Sequence, residues 1–409
     1  MRDVSRSIAV AVSIVILLCA SPLLGQDWPQ WRGANRDGKV AGFAAPQVWP
    51  KALRVKWKAK VGAGDATPAL VGGRLYVFTR QGDGEVVLCM DAGSGMQLWK
   101  ARYAAQAVTG PASRHPGPRS SPAVADGKVV TLGVGGVVSC FNAAEGRRLW
   151  QKDPFPKTVP TFFTSMSPIL VDGLAVAHVG GKGKGAIIAL DLATGEEKWR
   201  WAEGAPEYAS PALLTVEGTK QIVTLTEKNV VGVAASDGKL LWKIPFPSGR
   251  RAYNSATPIV DGQTVIFTGP GRGTKAVKIE KGTDGFTARE LWSNAKVATQ
   301  FNTPVLTGGL LFGLSAGGNL FCVDAKTGKT AWTDSTRHGR GFAAVVAAGP
   351  AVLALPSTSE LIAFKPDAKA YTELARIKVA TTPTYAHPLI AGNRIFIKDQ
   401  DTLTMSTIE

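Results

Sequence analysis

The chain has 409 residues, with 47 Lys and Arg against 31 Asp and Glu, so its formal net charge is +16 at pH 7. A basic surface favours anionic partners, but no dense Lys/Arg block of the kind that marks a nucleic-acid-binding segment occurs in the sequence. Its four histidines, at positions 115, 178, 338 and 387, have no spacing typical of a zinc site. Composition therefore disfavours nucleic-acid binding and zinc chemistry.

Residues 1–25 are predicted to be a secretory signal peptide of the Sec type. Arg2 and Arg6 make a basic start, residues 8–20 are an apolar run, and Gly25 offers a small residue for cleavage. The apolar run is too short to favour a membrane-spanning helix, and the mature chain contains no other transmembrane candidate. Cys19 leaves lipidation as an alternative, although a leucine precedes it where lipidation requires a small residue. We expect a periplasmic or secreted protein.

Residues 26–52 form an irregular N-terminal segment that contains Trp28, Trp31 and Trp49 among Pro and Gly residues. Three exposed tryptophans would promote association in a soluble protein. We therefore expect a strap packed on the outside or across one face of the domain that follows. A binding arm is the alternative.

A nine-residue unit then recurs, most clearly as D-A-K-T-G-K-T-A-W at residues 324–332. Copies with the same spacing stand at residues 91–99, 142–150, 191–199 and 234–242. The Asx residue and the glycine predict a tight turn, because glycine supplies the positive φ and the Asx side chain bonds the nearby backbone. Apolar residues before the turn predict a buried strand, and the Trp begins the returning strand and offers a large apolar surface to a neighbouring unit.

A second signal, a small residue followed by Pro and an apolar strand, precedes each unit. It occurs at Thr67, Ser121, Ser167, Ser210, Thr257, Thr303 and, with histidine in place of the small residue, at His387. The last interval is about two periods long, and the Pro-less apolar run at residues 341–355 fills it. Repeats of roughly 40–50 residues with four short strands each predict propeller blades, and eight of them are counted here.

The end of the chain predicts how the ring closes. Residues 388–409 provide three strands only, whereas residues 53–62 provide a strand with a Trp and no hairpin in front of it. We therefore predict an all-β, eight-bladed β-propeller over residues 53–409, with four-stranded antiparallel blades and a ring closed by this N-terminal strand. The predicted structural Trp positions, which we call the Trp hooks, are Trp57, Trp99, Trp150, Trp199, Trp242, Trp292 and Trp332, with Leu374 as a substitute in the eighth unit.

The repeat D-A-x-T-G-x-x-x-W, with Ser/Thr-Pro opening each blade, resembles the PQQ-like propeller repeats of the quinoprotein alcohol dehydrogenase-like superfamily. That superfamily also includes the propeller lipoprotein of the outer-membrane barrel-assembly machinery. The opening D-W-P-Q-W-R-G-A-N-R-D-G at residues 27–38 and G-P-R-S-S-P at residues 117–122 resemble secreted PQQ-like propellers of planctomycete-type bacteria. The resemblance covers essentially all of the mature chain and implies the fold; one propeller type serves unrelated functions.

The cysteines bear on the enzymatic alternative. Quinoprotein dehydrogenases of this superfamily hold the quinone with two adjacent cysteines, a Trp floor, and Asp, Glu and Asn around a calcium ion. No two cysteines are adjacent here, and no acidic cluster for calcium is evident. Cys89, Cys140 and Cys322 occupy the same slot of three repeats, which predicts small, buried, unpaired side chains. We assign no catalytic, cofactor-binding or metal-binding residue, and a quinoprotein dehydrogenase-like enzyme is the alternative.

The remaining candidate site is the channel mouth, formed by the residues just before each Ser/Thr-Pro. Its predicted binding residues are Arg119, Phe163, Tyr208, Arg251, Tyr253, Asn254, Asn302, Arg340, Tyr385 and His387, with Asp65, His115, Ser165 and Phe301 nearby. Aromatic rings for stacking and arginines for carboxylate or phosphate suit a glycan or an extended peptide. Alternatively, these side chains only cap strand ends around a water-filled channel. The sequence favours an exported, monomeric, non-catalytic scaffold that engages envelope proteins, anionic glycans or lipid headgroups.

Overall fold

The structure is a computed structural model that describes residues 27–181, 183–249 and 252–409. The predicted signal peptide, Cys19 and Arg251 lie outside these ranges. The described residues form eight sheets with four antiparallel strands each, one of them extended by a short parallel strand. The predicted eight-bladed propeller is confirmed.

Strands β1 and β2 come first, and the first four blades follow in chain order. The strands are β1 (Lys39–Val40), β2 (Arg54–Lys60), β3 (Ala69–Val71), β4 (Arg74–Gln81), β5 (Gly84–Asp91), β6 (Gln97–Ala104), β7 (Ala123–Ala125), β8 (Lys128–Leu132), β9 (Val138–Asn142), β10 (Arg148–Lys152), β11 (Ile169–Val171), β12 (Leu174–Gly181), β13 (Lys184–Asp191), β14 (Glu197–Trp201), β15 (Ala212–Val216), β16 (Thr219–Leu225), β17 (Asn229–Ala234) and β18 (Leu240–Pro245). Blade 1 is β3–β6, blade 2 is β7–β10, blade 3 is β11–β14 and blade 4 is β15–β18.

The last four blades complete the ring. Their strands are β19 (Ile259–Asp261), β20 (Thr264–Gly269), β21 (Gly273–Gly282), β22 (Gly285–Asn294), β23 (Val305–Thr307), β24 (Leu310–Leu314), β25 (Asn319–Asp324), β26 (Thr330–Arg337), β27 (Ala343–Ala348), β28 (Ala351–Pro356), β29 (Glu360–Phe364), β30 (Glu373–Lys378), β31 (Leu389–Ala391), β32 (Arg394–Lys398) and β33 (Thr402–Thr407). Blade 5 is β19–β22, blade 6 is β23–β26, blade 7 is β27–β30, and blade 8 is β31–β33 with β2. A single turn of 3-10 helix, Gly110–Ala112, lies between blades 1 and 2. Among the described residues, no helix has the length and apolar composition needed to cross a membrane.

Burial follows the position of each strand within its blade. The middle strands are buried on both faces, as in β5, because a neighbouring blade covers each side. The fourth strands face solvent, and their residues largely alternate between exposed and less exposed positions, as in β6. The apolar core therefore lies in layers between adjacent blades; Val130 and Leu132 of blade 2, for example, pack with Ala177 and Ile188 of blade 3.

The ring closes as predicted. Strand β2 pairs antiparallel with β33, from Arg54 opposite Thr407 to Lys60 opposite Thr402, and becomes the fourth strand of blade 8. The N-terminal part of the chain thus completes the last blade that the C-terminal part begins. This pairing removes the free edge that β33 would otherwise expose.

The Trp hooks lie on fourth strands and bond to the next blade. Trp99 donates its indole N–H to the carbonyl of Ala143 at 3.0 Å, and Trp199 donates to Ala235 at 3.0 Å. Trp57, Trp150, Trp292 and Trp332 make the same kind of bond, to Ala92, Leu192, Ala325 and Asp367. In four of these six pairs the acceptor directly follows the Asp or Asn of the repeat unit. The repeat unit is therefore a clamp between successive blades.

Trp242 departs from this pattern, donating to Oε1 of Gln221 within its own blade at 2.6 Å. Blade 5, which follows it, has no short hairpin to receive the indole, because β21 and β22 are each 10 residues long. Phe286 of the longer hairpin packs on the core between blades 4 and 5 instead. Leu374, the predicted eighth-unit substitute, packs against the core cluster that includes blades 7, 8 and 1.

Candidate functional site

A ring of hydrogen bonds joins the starts of the innermost strands. The backbone N–H of Ser121 donates to Oγ of Ser167, and Ser167 in turn donates to Oγ of Ser210, both at 2.9 Å. The same bond runs from Thr257 to Thr303 and from His387 to Thr67. In these four Ser/Thr-Pro steps the hydroxyl accepts from the preceding blade. Oγ1 of Thr257 accepts from Trp31 instead, and Oγ of Ser121 has no hydrogen-bond partner among the described residues.

Residues 27–43, which we call the central plug, occupy the middle of this ring. The plug begins at the turn between the first two strands of blade 1, where Oδ1 of Asp27 accepts from Gly72 and Trp28 pairs with Leu70. It leaves as β1, parallel to β27 of blade 7, with Val40 opposite Ala348. The plug therefore enters and leaves on one face of the ring, and its apex reaches the Ser/Thr-Pro level.

Two arginines hold the apex of the plug. Arg32 is 1 % exposed and donates to the carbonyls of Thr303 and Pro304 in blade 6. Arg36 is 4 % exposed and donates to Pro211 of blade 4 at 2.8 Å and to Pro168 of blade 3 at 2.9 Å. Burial lowers the pKa of Arg32 to about 10 and that of Arg36 to about 9, so both guanidiniums remain charged at neutral pH.

A cavity of about 390 Å³ lies at the channel mouth, on the other side of the apex. Its lining comes from the loop before each of the eight blades, together with Trp31 of the plug: Trp31, Asp65, Pro111, Ala112, His115, Arg119, Phe162, Ser165, Tyr208, Ser210, Tyr253, Ser255, Phe301, Asn302, Thr303, Phe342, Ala343, Tyr385 and His387. Trp31 lies edge-on to His387, with ring centroids 4.5 Å apart, and donates to Oγ1 of Thr257. The plug thus closes the inner end of this cavity.

Aromatic rings from blades 3 to 8 form most of the wall. Phe162, Tyr208 and Tyr253 meet edge to face, with centroids 5.3 to 6.2 Å apart. Phe301 and Phe342 are stacked at 4.2 Å. The wall is rigid because these rings pack on one another and because the Tyr208 hydroxyl accepts from the backbone N–H of Phe162 at 3.1 Å. Burial raises the pKa of Tyr208 to about 12.

The charged groups are concentrated on the side of blades 1 and 2. Nδ1 of His115 lies 2.7 Å from Oδ2 of Asp65. Arg119 donates to the carbonyl of Phe162 at 2.7 Å and to that of His115 at 2.9 Å, which fixes its guanidinium. Burial lowers the pKa of Arg119, while Asp65 opposes that shift. These two bonds use two of the five N–H groups that a guanidinium offers.

The structure brings most of the predicted mouth residues together. Six of them line the cavity: Arg119, Tyr208, Tyr253, Asn302, Tyr385 and His387. The Asn302 amide is already bonded, donating to the carbonyls of Leu314 and Gly341. Burial places the pKa of His387 well below its ordinary value, so the imidazole is neutral.

Three other predicted residues do not line the cavity. Phe163 has φ of 64°, and its side chain packs in a small apolar cluster with Val134. Its neighbour Phe162 lines the cavity wall instead. Asn254 is fully buried and donates to the carbonyls of Thr226 and Phe246. Arg340 is exposed and is not among the residues that line the cavity.

Sequence reasoning missed three aromatic lining residues. Phe162 lies one position from the predicted Phe163, and Phe342 lies two positions from the predicted Arg340; only the backbone conformation decides which residue faces inward. Trp31 belongs to the predicted strap, and no local signal shows that this strap enters the ring. The signal that could have found it is the pairing of two arginines with three tryptophans in one short non-repeat segment.

The cavity does not fit the calcium-and-quinone site that the quinoprotein resemblance implies. Asp65 is the one carboxylate among the described lining residues, and it is paired with His115. Across residues 27–181, 183–249 and 252–409, no three His, Cys, Asp or Glu side chains are grouped so that they could hold a metal ion. Cys89, Cys140 and Cys322 are buried, unpaired and in separate blades, and burial raises the pKa of the Cys89 thiol to about 11.

Eight such blades, with indole-to-carbonyl bonds across six of the eight interfaces, define the class: an eight-bladed β-propeller of PQQ-like repeats. The chain belongs to the PQQ_2 family, described as outer membrane protein assembly factor BamB, which matches residues 36–200 and 165–334.

Individual relatives agree with this assignment. The chain is 26% identical over 364 residues to the outer membrane protein assembly factor BamB of Burkholderia pseudomallei, covering 84% of this chain and 85% of that protein. The crystal structure of BamB from Moraxella catarrhalis superposes with a TM-score of 0.64 at 14% identity, over 87% of this chain and 98% of that one. The crystal structure of the quinohemoprotein alcohol dehydrogenase from Comamonas testosteroni superposes with a TM-score of 0.68 at 14% identity, over 95% of this chain and 81% of that one. At such identity the structural likeness shows the propeller fold.

Proposed function

We propose that this protein is an exported, non-catalytic scaffold of the cell envelope that binds other proteins through the channel-mouth cavity. The observation that carries the proposal is the rigid, aromatic, closed-ended cavity in a chain whose family is named for outer-membrane protein assembly. Concave, mostly apolar sites with a few fixed polar groups are the usual form of a binding site.

The polar groups of the cavity favour binding over chemistry. The Asp65 carboxylate is paired with His115, and Arg119 is held by two backbone carbonyls. The hydroxyl of Ser210 accepts from the backbone of Ser167, and that of Ser255 donates to the carbonyl of Gln300. These groups are fixed by neighbours, as a recognition surface requires.

A pull-down from envelope extract tests the proposal. The wild-type protein is compared with a Tyr208→Ala/Tyr253→Ala variant, which opens the aromatic wall, and with Arg340→Ala, which changes an exposed residue off the cavity. We expect wild type and Arg340→Ala to retain the same proteins and the double variant to lose them. Equal retention by all three would contradict binding at this cavity.

An anionic glycan or lipid headgroup is the second candidate, favoured by the net charge of +16. Salt separates the two, because exposed charge interactions are screened within about 8 to 10 Å at physiological ionic strength whereas an apolar interface is not. If the retained material is glycan or lipid and is released as salt rises, the second candidate replaces the first.

A further inference from the structure

The cavity is a blind funnel. Innermost strands of a propeller surround a channel, but here the plug fills it up to Trp31, Arg32 and Arg36. A polymer cannot pass through a channel that is closed in this way. Whatever the cavity holds must therefore enter from the open mouth, with its leading group against the plug.

The lining is divided into an aromatic side and a charged side. Loops before blades 3 to 8 contribute the aromatic rings, whereas Asp65, His115 and Arg119 come from the loops before blades 1 and 2. The division suits a ligand with one apolar side and one ionised group.

The charge of the funnel selects an anion. Asp65 is hydrogen-bonded to His115 and also attracts Arg119 electrostatically, whereas the hydrogen-bond partners of Arg119 are backbone carbonyls. Below the floor, the guanidiniums of Arg32 and Arg36 also bond to carbonyl and amide oxygens of the chain. Cations with neutral acceptors leave a positive potential in a site of low dielectric.

His387 supplies a second, independent sign of a ligand. The residue lines the closed end of the cavity and is 3 % exposed. Its Nδ1 atom has no hydrogen-bond partner among the described residues, although buried polar atoms are normally paired. A polar group of a bound ligand would satisfy it.

Resting on the proposed function, we propose that the cavity binds a terminal carboxylate joined to an aromatic ring or a large apolar side chain. The carboxylate is held by unused N–H groups of Arg119, and the side chain packs among Phe162, Tyr208 and Tyr253. This chemistry occurs in free aromatic acids and at the C-terminal residue of a polypeptide. The ligand enters end-on and leaves the rest of its chain outside.

Calorimetry on the purified full-length protein tests this directly with N-acetylphenylalanine and its carboxamide, N-acetylphenylalaninamide, which keeps the ring and lacks the charge. We expect the acid to bind about tenfold or more tightly than the amide, because charge-assisted hydrogen bonds are the strong ones. N-acetylglycine, which has no ring, should bind more weakly than N-acetylphenylalanine. Equal affinity for acid and amide, or tighter binding of glucuronic acid than of N-acetylphenylalanine, would overturn the proposal.

Arg119→Gln should bring the acid-to-amide ratio close to one, and Arg340→Gln, the matched control, should leave it unchanged. The comparison of ligands on the wild-type protein stands even if Arg119→Gln folds poorly. A hexapeptide that ends in phenylalanine distinguishes the sources: tighter binding than the free acid assigns the site to polypeptide ends, and equal binding assigns it to small acids. Either result supports the carboxylate-and-ring chemistry.

Failure of this inference and failure of the scaffold function give different results. If the protein is no scaffold, no envelope protein is retained by wild type or by any variant. If only the ligand chemistry is wrong, proteins are retained but neither excess N-acetylphenylalanine nor Arg119→Gln releases them.

Discussion

Gly195 of blade 3 lies directly against the indole of Trp150 in blade 2. A β-carbon added to Gly195 would approach the ring within 2.7 Å, and the indole N–H donates to the carbonyl of Leu192 in the same hairpin at 3.1 Å. The glycine of the repeat therefore has two functions: it adopts φ of 72° in the turn and it admits the neighbouring Trp.

Gly195→Ala should destabilise the protein more than an alanine at an ordinary turn glycine. Gly173, in the same blade, is the matched control, because its φ is 74° and no other atom lies within 4 Å of an added β-carbon. We expect Gly173→Ala to cost about 1 to 2 kcal/mol for the left-handed backbone. Gly195→Ala should cost roughly 1 to 3 kcal/mol more for overpacking. Urea unfolding measures both, and equal losses would refute the clamp.

Arg36→Met should lower the free energy of unfolding by about 3 kcal/mol or more. The substitution keeps much of the volume but leaves the carbonyls of Ser167, Pro168 and Pro211 without their donor, and each hydrogen bond to a charged group is worth about 1.5 to 3 kcal/mol. Exposed Arg340→Ala should change stability by no more than about 0.5 kcal/mol. Equal thermal midpoints for the two variants would show that the plug contributes little.

Acid should destabilise the protein through His178. This residue is 2 % exposed, and burial lowers its pKa from 6.5 to about 4. Between these values the unfolded chain binds a proton that the folded chain does not, so stability is complete above pH 6.5 and falls as the pH drops toward 4. We expect His178→Gln to lose less stability than wild type between pH 7 and pH 4.5 in urea titrations. The same loss in both proteins would contradict this contribution.

Addition of pyrroloquinoline quinone with calcium should give no saturable binding. Asp65, the one carboxylate among the lining residues that the structure describes, is paired with His115, and the thiols of Cys89, Cys140 and Cys322 are buried in separate blades. Absorbance and calorimetry measure binding, and dye-linked alcohol oxidation measures turnover. Micromolar saturable binding with turnover would make the channel mouth an active site and would support the quinoprotein alternative.

The repeat pattern alone predicts the blades, their number and the closing strand. Each of these depends on local chemistry: an Asx-Gly turn, a buried strand, and a Trp at fixed spacing. Trp57 without its own hairpin is enough to place residues 53–62 beside the last strands, because a blade missing one strand exposes an edge.

Only the tertiary structure decides which residues line the cavity and what closes its inner end. Arg32 and Arg36 bond to backbone carbonyls of blades 3, 4 and 6, and every residue type offers a carbonyl, so no side-chain pattern identifies these partners. The inward position of Phe162 depends on the positive φ of Phe163, which is uncommon for that residue type. Periodic local patterns thus encode the ring of blades, whereas the closure of its channel and the choice of lining residues follow from contacts between segments far apart in the chain.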